Sequence, residues 1–230
     1  MGSIAENLQE VKGRISAACT KASREPAAVL LLAVSKTFDA AAVRQAMVAG
    51  QHAFGENYVQ EALAKIEALA EWRAELEWHL IGPLQSNKTR QVAEQFDWVH
   101  SVDRLKTAQR LAEQRPSGLP PLNLCLQVNV SAELSKAGVL PEALAALAQA
   151  VSALPADKVR LRGLMSIPEP VSDPAAQREP HRRLRALFDG LLAQGLALDT
   201  LSMGMSGDLE AAVLEGATLV RIGTAVFGRR

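Results

Sequence analysis

Cysteine is scarce. The 230 residues hold two, Cys19 and Cys125, and no C-x-x-C pair. That excludes a disulfide scaffold and a cysteine-rich zinc site, and it suits a reducing compartment. Excess charge of either sign is absent as well. Lys and Arg number 25 and Asp and Glu 25, which argues against a nucleic-acid footprint built on clustered cations. No apolar run reaches the ~20 residues of a membrane-spanning helix. The opening Met1-Gly2-Ser3-Ile4-Ala5-Glu6 has no basic region ahead of an apolar one, so no export signal is read. A cytoplasmic protein with neither membrane nor nucleic acid as partner is expected. There is no Walker A sequence, and no G-x-G-x-x-G follows the first strand-like run. The segment Gly204-Met205-Ser206-Gly207-Asp208 misses the serine-hydrolase elbow because Asp208 stands where its last glycine belongs. What remains, 48% apolar and 22% charged residues, is the balance of an ordinary globular chain.

The apolar residues are arranged in two alternating patterns. Ile4, Leu8, Val11, Ile15 and Cys19 recur at helical spacing and predict an amphipathic N-terminal helix. The run 29–35 is apolar on both faces, as a buried parallel strand should be. Asp39 can cap a helix that stops at Gly50. Further strand-like runs fall near 52–54, 78–81, 98–101, 124–130, 160–165, 200–203 and 218–222, which makes eight. Helix-like stretches separate them, among them 57–69, 103–114, 141–153, 177–194 and 207–215. Eight strands alternating with helices predict one (β/α)8 barrel of the TIM type spanning 1–230, with an extra N-terminal helix. An open doubly wound sheet is the rival. Proline gathers in 166–180, which predicts a long loop at the functional rim.

Barrels of this kind carry their chemistry at the C-terminal ends of the strands. Lys36 ends the first run, Asn57 follows the second, and Met165 and Ser166 end the sixth. Ser206 and Gly207 follow the seventh, and Arg221-Ile222-Gly223-Thr224 closes the eighth. Loops after strands seven and eight are the habitual phosphate site of the architecture. Ser206 and Gly207 stand where a helix should begin, with free N–H groups that favour an anion. Tight turns and a helix cap account for the same residues equally well. Lys36 reads either as a solvated strand-end lysine or as an amine held in a desolvated mouth, where its neutral form condenses with a carbonyl. His52, His79, His100 and His181 are scattered, without metal-site spacing, and read as surface or core residues. The basic run 181–185 reads as a solvated helix face, and Met203 and Met205 as core filling.

Several segments, in order along the chain, carry a resemblance. They are Leu32-Ala33-Val34-Ser35-Lys36-Thr37, Phe54-Gly55-Glu56-Asn57-Tyr58-Val59-Gln60-Glu61 and the run 78–88 beginning Trp78-His79-Leu80-Ile81-Gly82. Gln127-Val128-Asn129, Gly163-Leu164-Met165, Leu201-Ser202-Met203-Gly204-Met205-Ser206 and Val220-Arg221-Ile222-Gly223-Thr224 complete the set. Together they resemble the YggS/PROSC family of pyridoxal phosphate homeostasis proteins. The resemblance implies a barrel similar to the N-terminal domain of alanine racemase, with pyridoxal 5′-phosphate (PLP) as cofactor. It implies that Lys36 forms the Schiff base, that Ser206, Gly207, Gly223 and Thr224 hold the phosphate, and that Arg221 faces the pyridine nitrogen. Asn57 matches a polar neighbour of the ring hydroxyl or imine, and Met165 a residue packed on the ring. Many relatives carry a second lysine two positions after the first, where this chain has Phe38. Lys136 is a loop lysine or a second point of PLP capture.

Two functions from different classes follow from the resemblance. One is a carrier that buffers PLP and delivers it to recipient apo-enzymes, working as a monomer. The other is a racemase-like enzyme acting on a small amino acid. Racemisation needs an acid/base on each face of the substrate carbon. Lys36 supplies one, and the second domain that brings a tyrosine to alanine racemase is not expected here. The only tyrosine, Tyr58, is placed just inside a helix start. An arginine at the ring nitrogen does not hand over a proton, which weakens the electron sink. The carrier is the expected function, with no catalytic residue.

Overall fold

The protein is described by a computed structural model that covers residues 2–131 and 137–228. Lys136 therefore lies outside the described residues. Eight strands form the inner wall: β1 (Leu30–Val34), β2 (Ala53–Glu56), β3 (Glu77–Leu80), β4 (Trp98–Val102), β5 (Leu122–Gln127), β6 (Val159–Met165), β7 (Thr200–Ser202) and β8 (Leu219–Ile222). They pair in sequence order, all parallel, and β8 returns to β1 to close the barrel. The expected (β/α)8 architecture is what the chain adopts, and the doubly wound sheet is excluded by that closure.

The barrel is closed by two apolar layers whose residues alternate along each strand. Leu31 and Ala33 join the large cluster shared with the helices. Leu32 and Val34 join Ala53, Ile81 and Leu219 in a separate cluster inside the barrel. Trp98, Cys125 and Met165 form a third. Strands buried on both faces read as unbroken apolar runs, which is why all eight were visible in the sequence.

Around the wall run α1 (Ile4–Lys21), α2 (Ala40–Val48), α3 (Val59–Ala68), α4 (Thr89–Gln95), α5 (Leu105–Gln114), α6 (Pro141–Ser152), α7 (Pro174–Ala193), α8 (Leu209–Leu214) and α9 (Thr224–Phe227). The N-terminal helix α1 is closed by a capping box between Ser3 and Glu6, and buries Leu8, Val11, Ile15 and Cys19 as the spacing predicts. It packs on α8 and α9. Arg14 forks onto Glu210 at 2.8 and 2.9 Å and reaches the Ser206 carbonyl at 3.2 Å. The Asp39 cap of α2 is present, its carboxylate accepting the Ala42 N–H at 2.9 Å. Two expectations need correction. Residues 166–180 are not one long loop: Asp173 caps α7, Pro174 opens it, and Pro180 sits inside it. The helix after β7 begins at Leu209, not Gly207, because Asp208 takes the capping position. The seven-residue α4 and the four-residue α9 have no counterpart among the stretches read from the sequence.

Candidate cofactor site

Lys36 stands two residues past the end of β1, half-buried, in a turn whose neighbours are pinned from below. The Lys65 ammonium, buried in α3, donates to the Ser35 carbonyl at 2.7 Å, to Glu56 Oε1 at 2.7 Å and to Glu61 Oε1 at 2.6 Å. The Ser35 hydroxyl donates to the same Glu56 oxygen at 2.6 Å, and the Thr37 N–H donates to Glu61. The carbonyl before Lys36 and the N–H after it are thus both held by one buried ion cluster. Thr37 adopts a left-handed φ of 67°, a conformation that this clamp helps to hold against its steric cost. Burial raises the Glu56 carboxyl above its usual range even against the Lys65 charge. Phe38 stacks on Phe227 at 5.1 Å between ring centroids and fastens the turn to α9.

Strand β8 pairs directly with β1, placing Arg221 opposite Leu32. Arg221 is buried, and its Nη1 donates to the Ser202 carbonyl at 2.6 Å and hydroxyl at 2.8 Å, while Nη2 donates to the Ser166 carbonyl at 2.7 Å. These bonds use three of the N–H groups that a guanidinium offers and leave donors for another acceptor. Burial pushes its pKa down to about 10, so it remains a cation at neutral pH. Gly223 lies against β1, where an added Cβ would stand 3.2 Å from the Val34 carbonyl oxygen. Lys36, Arg221 and Gly223 therefore share one sector of the rim.

The other side of the mouth is built from β2, β3 and β6. Asn57 follows β2 directly. A Cβ on Gly82 would lie 2.2 Å from the Asn57 carbonyl oxygen, so only glycine lets the two backbones meet here. The Asn57 Oδ1 and the Ser166 Oγ are buried without a hydrogen-bond partner, an arrangement that costs free energy unless a ligand satisfies it. A cavity of about 420 Å³ opens beside Asn57, bordered also by Ser101, Gln127 and Ile167. Met165 is fully buried against Trp98 and Cys125. Burial pushes the Cys125 thiol well up, so it stays protonated.

The loop after β7 lacks the helix start expected at Gly207. Ser206 and Gly207 sit in a turn before Asp208, whose carboxylate accepts the Met205 N–H at 2.6 Å and lies 3.0 Å from His181 Nε2. Burial acts to raise the Asp208 carboxyl, but these hydrogen bonds outweigh it and hold it below its usual range. Nothing lies within 4 Å of the position a Gly207 Cβ would take. Thr224 is exposed at the start of α9, and Gly223 occupies its capping position. Met203 fills the core as expected, whereas Met205 borders a cavity of about 140 Å³ beside Gly207.

Three of the histidines are core residues, one of the two placements expected, and each carries a polar contact that the sequence did not show. His79 and His100 are buried and meet at 2.9 Å inside the barrel, and His181 carries the contact to Asp208. The available signal was the in-phase, inward position of His79 and His100 on neighbouring strands. Among the described residues no cluster of three His, Cys, Asp or Glu could hold a metal, and no helix is long and apolar enough to cross a membrane. A larger cavity of about 1390 Å³, bordered by Leu30, Gln51, His52 and Glu77, lies at the N-terminal ends of the strands. That is opposite the end where this architecture places its chemistry.

A parallel barrel with a lysine after β1 and a buried arginine on β8 defines the class. Residues 2–230 match the model of the alanine racemase N-terminal domain family, and the chain belongs to that family. Within it, the chain is 64% identical over 230 residues to the pyridoxal phosphate homeostasis protein of Pseudomonas aeruginosa, covering 100% of this chain and 97% of that one. It is 53% identical over 231 residues to the protein of the same name from Escherichia coli, covering 100% and 98%. The structure of PipY from Synechococcus elongatus with PLP bound superimposes with a TM-score of 0.84 at 41% identity, covering 98% of this chain and 100% of that one. The chain is thus a member of the pyridoxal phosphate homeostasis proteins.

Proposed function

We propose that residues 1–230 form a single PLP-binding barrel domain that holds the cofactor as a Schiff base on Lys36 and serves its homeostasis in the cytoplasm. The observation that carries this reading is the convergence of a clamped lysine, a buried arginine with unused donors and two orphaned buried acceptors on one rim. Those groups fit PLP. Its aldehyde supplies a carbon that condenses with a neutral amine, and its phosphate supplies a dianion for N–H and hydroxyl donors. Ser206, Gly207, Gly223 and Thr224 would take the phosphate. Because α8 spans six residues and α9 four, N–H and hydroxyl groups rather than a long helix dipole do this work. Arg221 would donate to the pyridine nitrogen, Asn57 and Ser166 would complete the polar edge, and Met165 would lie under the ring. PLP bound to PipY, and the names of the relatives in Pseudomonas aeruginosa and Escherichia coli, support the assignment.

A carrier fits better than a racemase-like enzyme. Arg221 keeps its proton, so the ring nitrogen receives a hydrogen bond and remains a weak electron sink. Tyr58, the only tyrosine, is 59% exposed and caps the start of α3 without a side-chain capping hydrogen bond. As a carrier the protein works as a monomer and passes PLP to recipient apo-enzymes. Titration with PLP is expected to yield a yellow protein with one cofactor per chain, and amino-acid racemisation stays at background. Turnover of the order of 1 s⁻¹ on any amino acid would instead make it an enzyme.

A further inference from the structure

Below Arg221 a line of polar side chains crosses the barrel interior. Arg221 Nη1 lies 2.8 Å from Ser202 Oγ, which lies 2.8 Å from His100 Nδ1. His100 Nε2 lies 2.9 Å from His79 Nδ1, and His79 Nε2 lies 2.7 Å from Glu77 Oε1. These residues belong to β8, β7, β4 and β3. Glu77 alone reaches solvent, with its side chain 45% exposed. It does so in the large cavity at the far end of the barrel.

A guanidinium only donates and a carboxylate only accepts. With one proton on each ring, all four contacts are satisfied in a single direction: His79 donates from Nε2 to Glu77 and accepts on Nδ1, His100 donates from Nε2 to His79 and accepts on Nδ1, and the Ser202 hydroxyl donates to His100 while accepting from Arg221.

We infer that Ser202, His100, His79 and Glu77 are positioning residues that hold Arg221 as a cation turned to the cofactor's ring nitrogen, through a chain whose protons all point away from that nitrogen. The inference rests on the reading that Arg221 faces PLP. Delivering a proton to the ring along this path would require every bond in it to reverse, so the chain orients and does not protonate.

The charged groups facing the histidine pair come from several elements. Arg221 faces it from β8 and Glu77 from the start of β3. Arg162 of β6 lies 4.8 Å from the Trp98 ring centroid, and that ring stacks on His79. Asp199 balances Arg162 at 2.6 Å, and the Cys125 thiol of β5 is uncharged. Burial above all, with the Arg221 charge beside it, keeps His100 far below its ordinary pKa. Burial acts to raise the Glu77 carboxyl, but the contacts from His79 and Trp98 and the Arg162 charge together hold it below its usual range.

The chain is tested first on the unaltered protein without cofactor, by ¹⁵N–¹H correlation of its ring nitrogens from pH ~5 to ~8, the range in which free histidine titrates. Both histidines should stay neutral with the proton on Nε2. An Nδ1–H signal or an imidazolium on either one overturns the inference. With PLP added, the dissociation constant and the pH midpoint of the visible band are compared for His100→Gln and His100→Leu. Glutamine keeps one acceptor and one donor, so it should stay near the unaltered protein. Leucine should move the midpoint and weaken binding about tenfold, the scale of one disturbed hydrogen bond to a charged group. Equal behaviour of the two variants, or an unmoved midpoint with leucine, overturns the positioning role. If the leucine variant does not fold, the ring-nitrogen spectra still decide. If the unaltered protein shows no visible band, the cofactor reading falls, while those spectra judge the chain separately.

Discussion

Lys36→Ala is expected to leave a folded barrel that no longer turns yellow with PLP and loses the cofactor on desalting. The Lys36 amine makes no hydrogen bond or ion pair with the described residues, so its removal breaks nothing in the wall. The clamp beneath it acts through the Ser35 carbonyl and the Thr37 N–H, which alanine retains. Stability should therefore change by no more than about 0.5 kcal/mol, the usual scale for a substitution that breaks no buried contact. The phosphate loops and Arg221 remain, so weak, rapidly exchanging PLP binding should persist. Absorbance and retained cofactor after desalting, with thermal unfolding as the control, check all of this. A variant that keeps the visible band would move the attachment to another lysine.

Lys65→Met should have the largest effect on stability. Lys65 is the cation between two carboxylates, its side chain 5% exposed and that of Glu56 fully buried. Removing it strands Glu56 with only the Ser35 hydroxyl, and breaking such a buried pair costs about 3–5 kcal/mol. The sign with pH follows from Glu56. Its pKa is already raised in the folded state by burial, and losing Lys65 raises it further. A carboxyl raised on folding favours the folded state when protonated, so its contribution is lost as pH rises through the folded pKa. The variant should be most deficient at neutral pH and recover on acidification. Pairing it with Glu56→Gln should restore much of the loss, because no charge is then left buried alone. Denaturant unfolding of the single and double variants at two pH values measures both. PLP capture should fall with the Lys65 change as well, since the turn that presents Lys36 loses its anchor.

That cluster marks where sequence reading stopped. The runs at 29–35 and 160–165 announced β1 and β6 because both faces of a barrel strand are apolar. The run at 52–54 ended too early, since β2 continues through Gly55 and Glu56. A glutamate is admitted to a buried strand end only because Lys65, nine residues on, satisfies it, and linear pattern does not encode that pairing. Pro180 read as a loop residue, yet Asp173 and Pro174 start α7 early enough to carry it inside. Of the site, Lys36, Asn57 and Arg221 stood out as polar residues ending apolar runs, and the structure brings all three to the same rim. Ser202, His79 and His100 did not stand out. Their partners lie on other strands, 19 residues away for Ser202 and Arg221 on adjacent strands and 102 for His100 and Ser202 across the barrel.

The central claim is a covalent bond between Lys36 and the cofactor. Borohydride reduction of the PLP-loaded protein, followed by proteolysis and mass mapping of the pyridoxyl group, tests it directly. The account predicts one modified peptide, carrying the label at Lys36 and nearly stoichiometric. A label on another lysine, or none on a protein that nonetheless binds PLP, would contradict it.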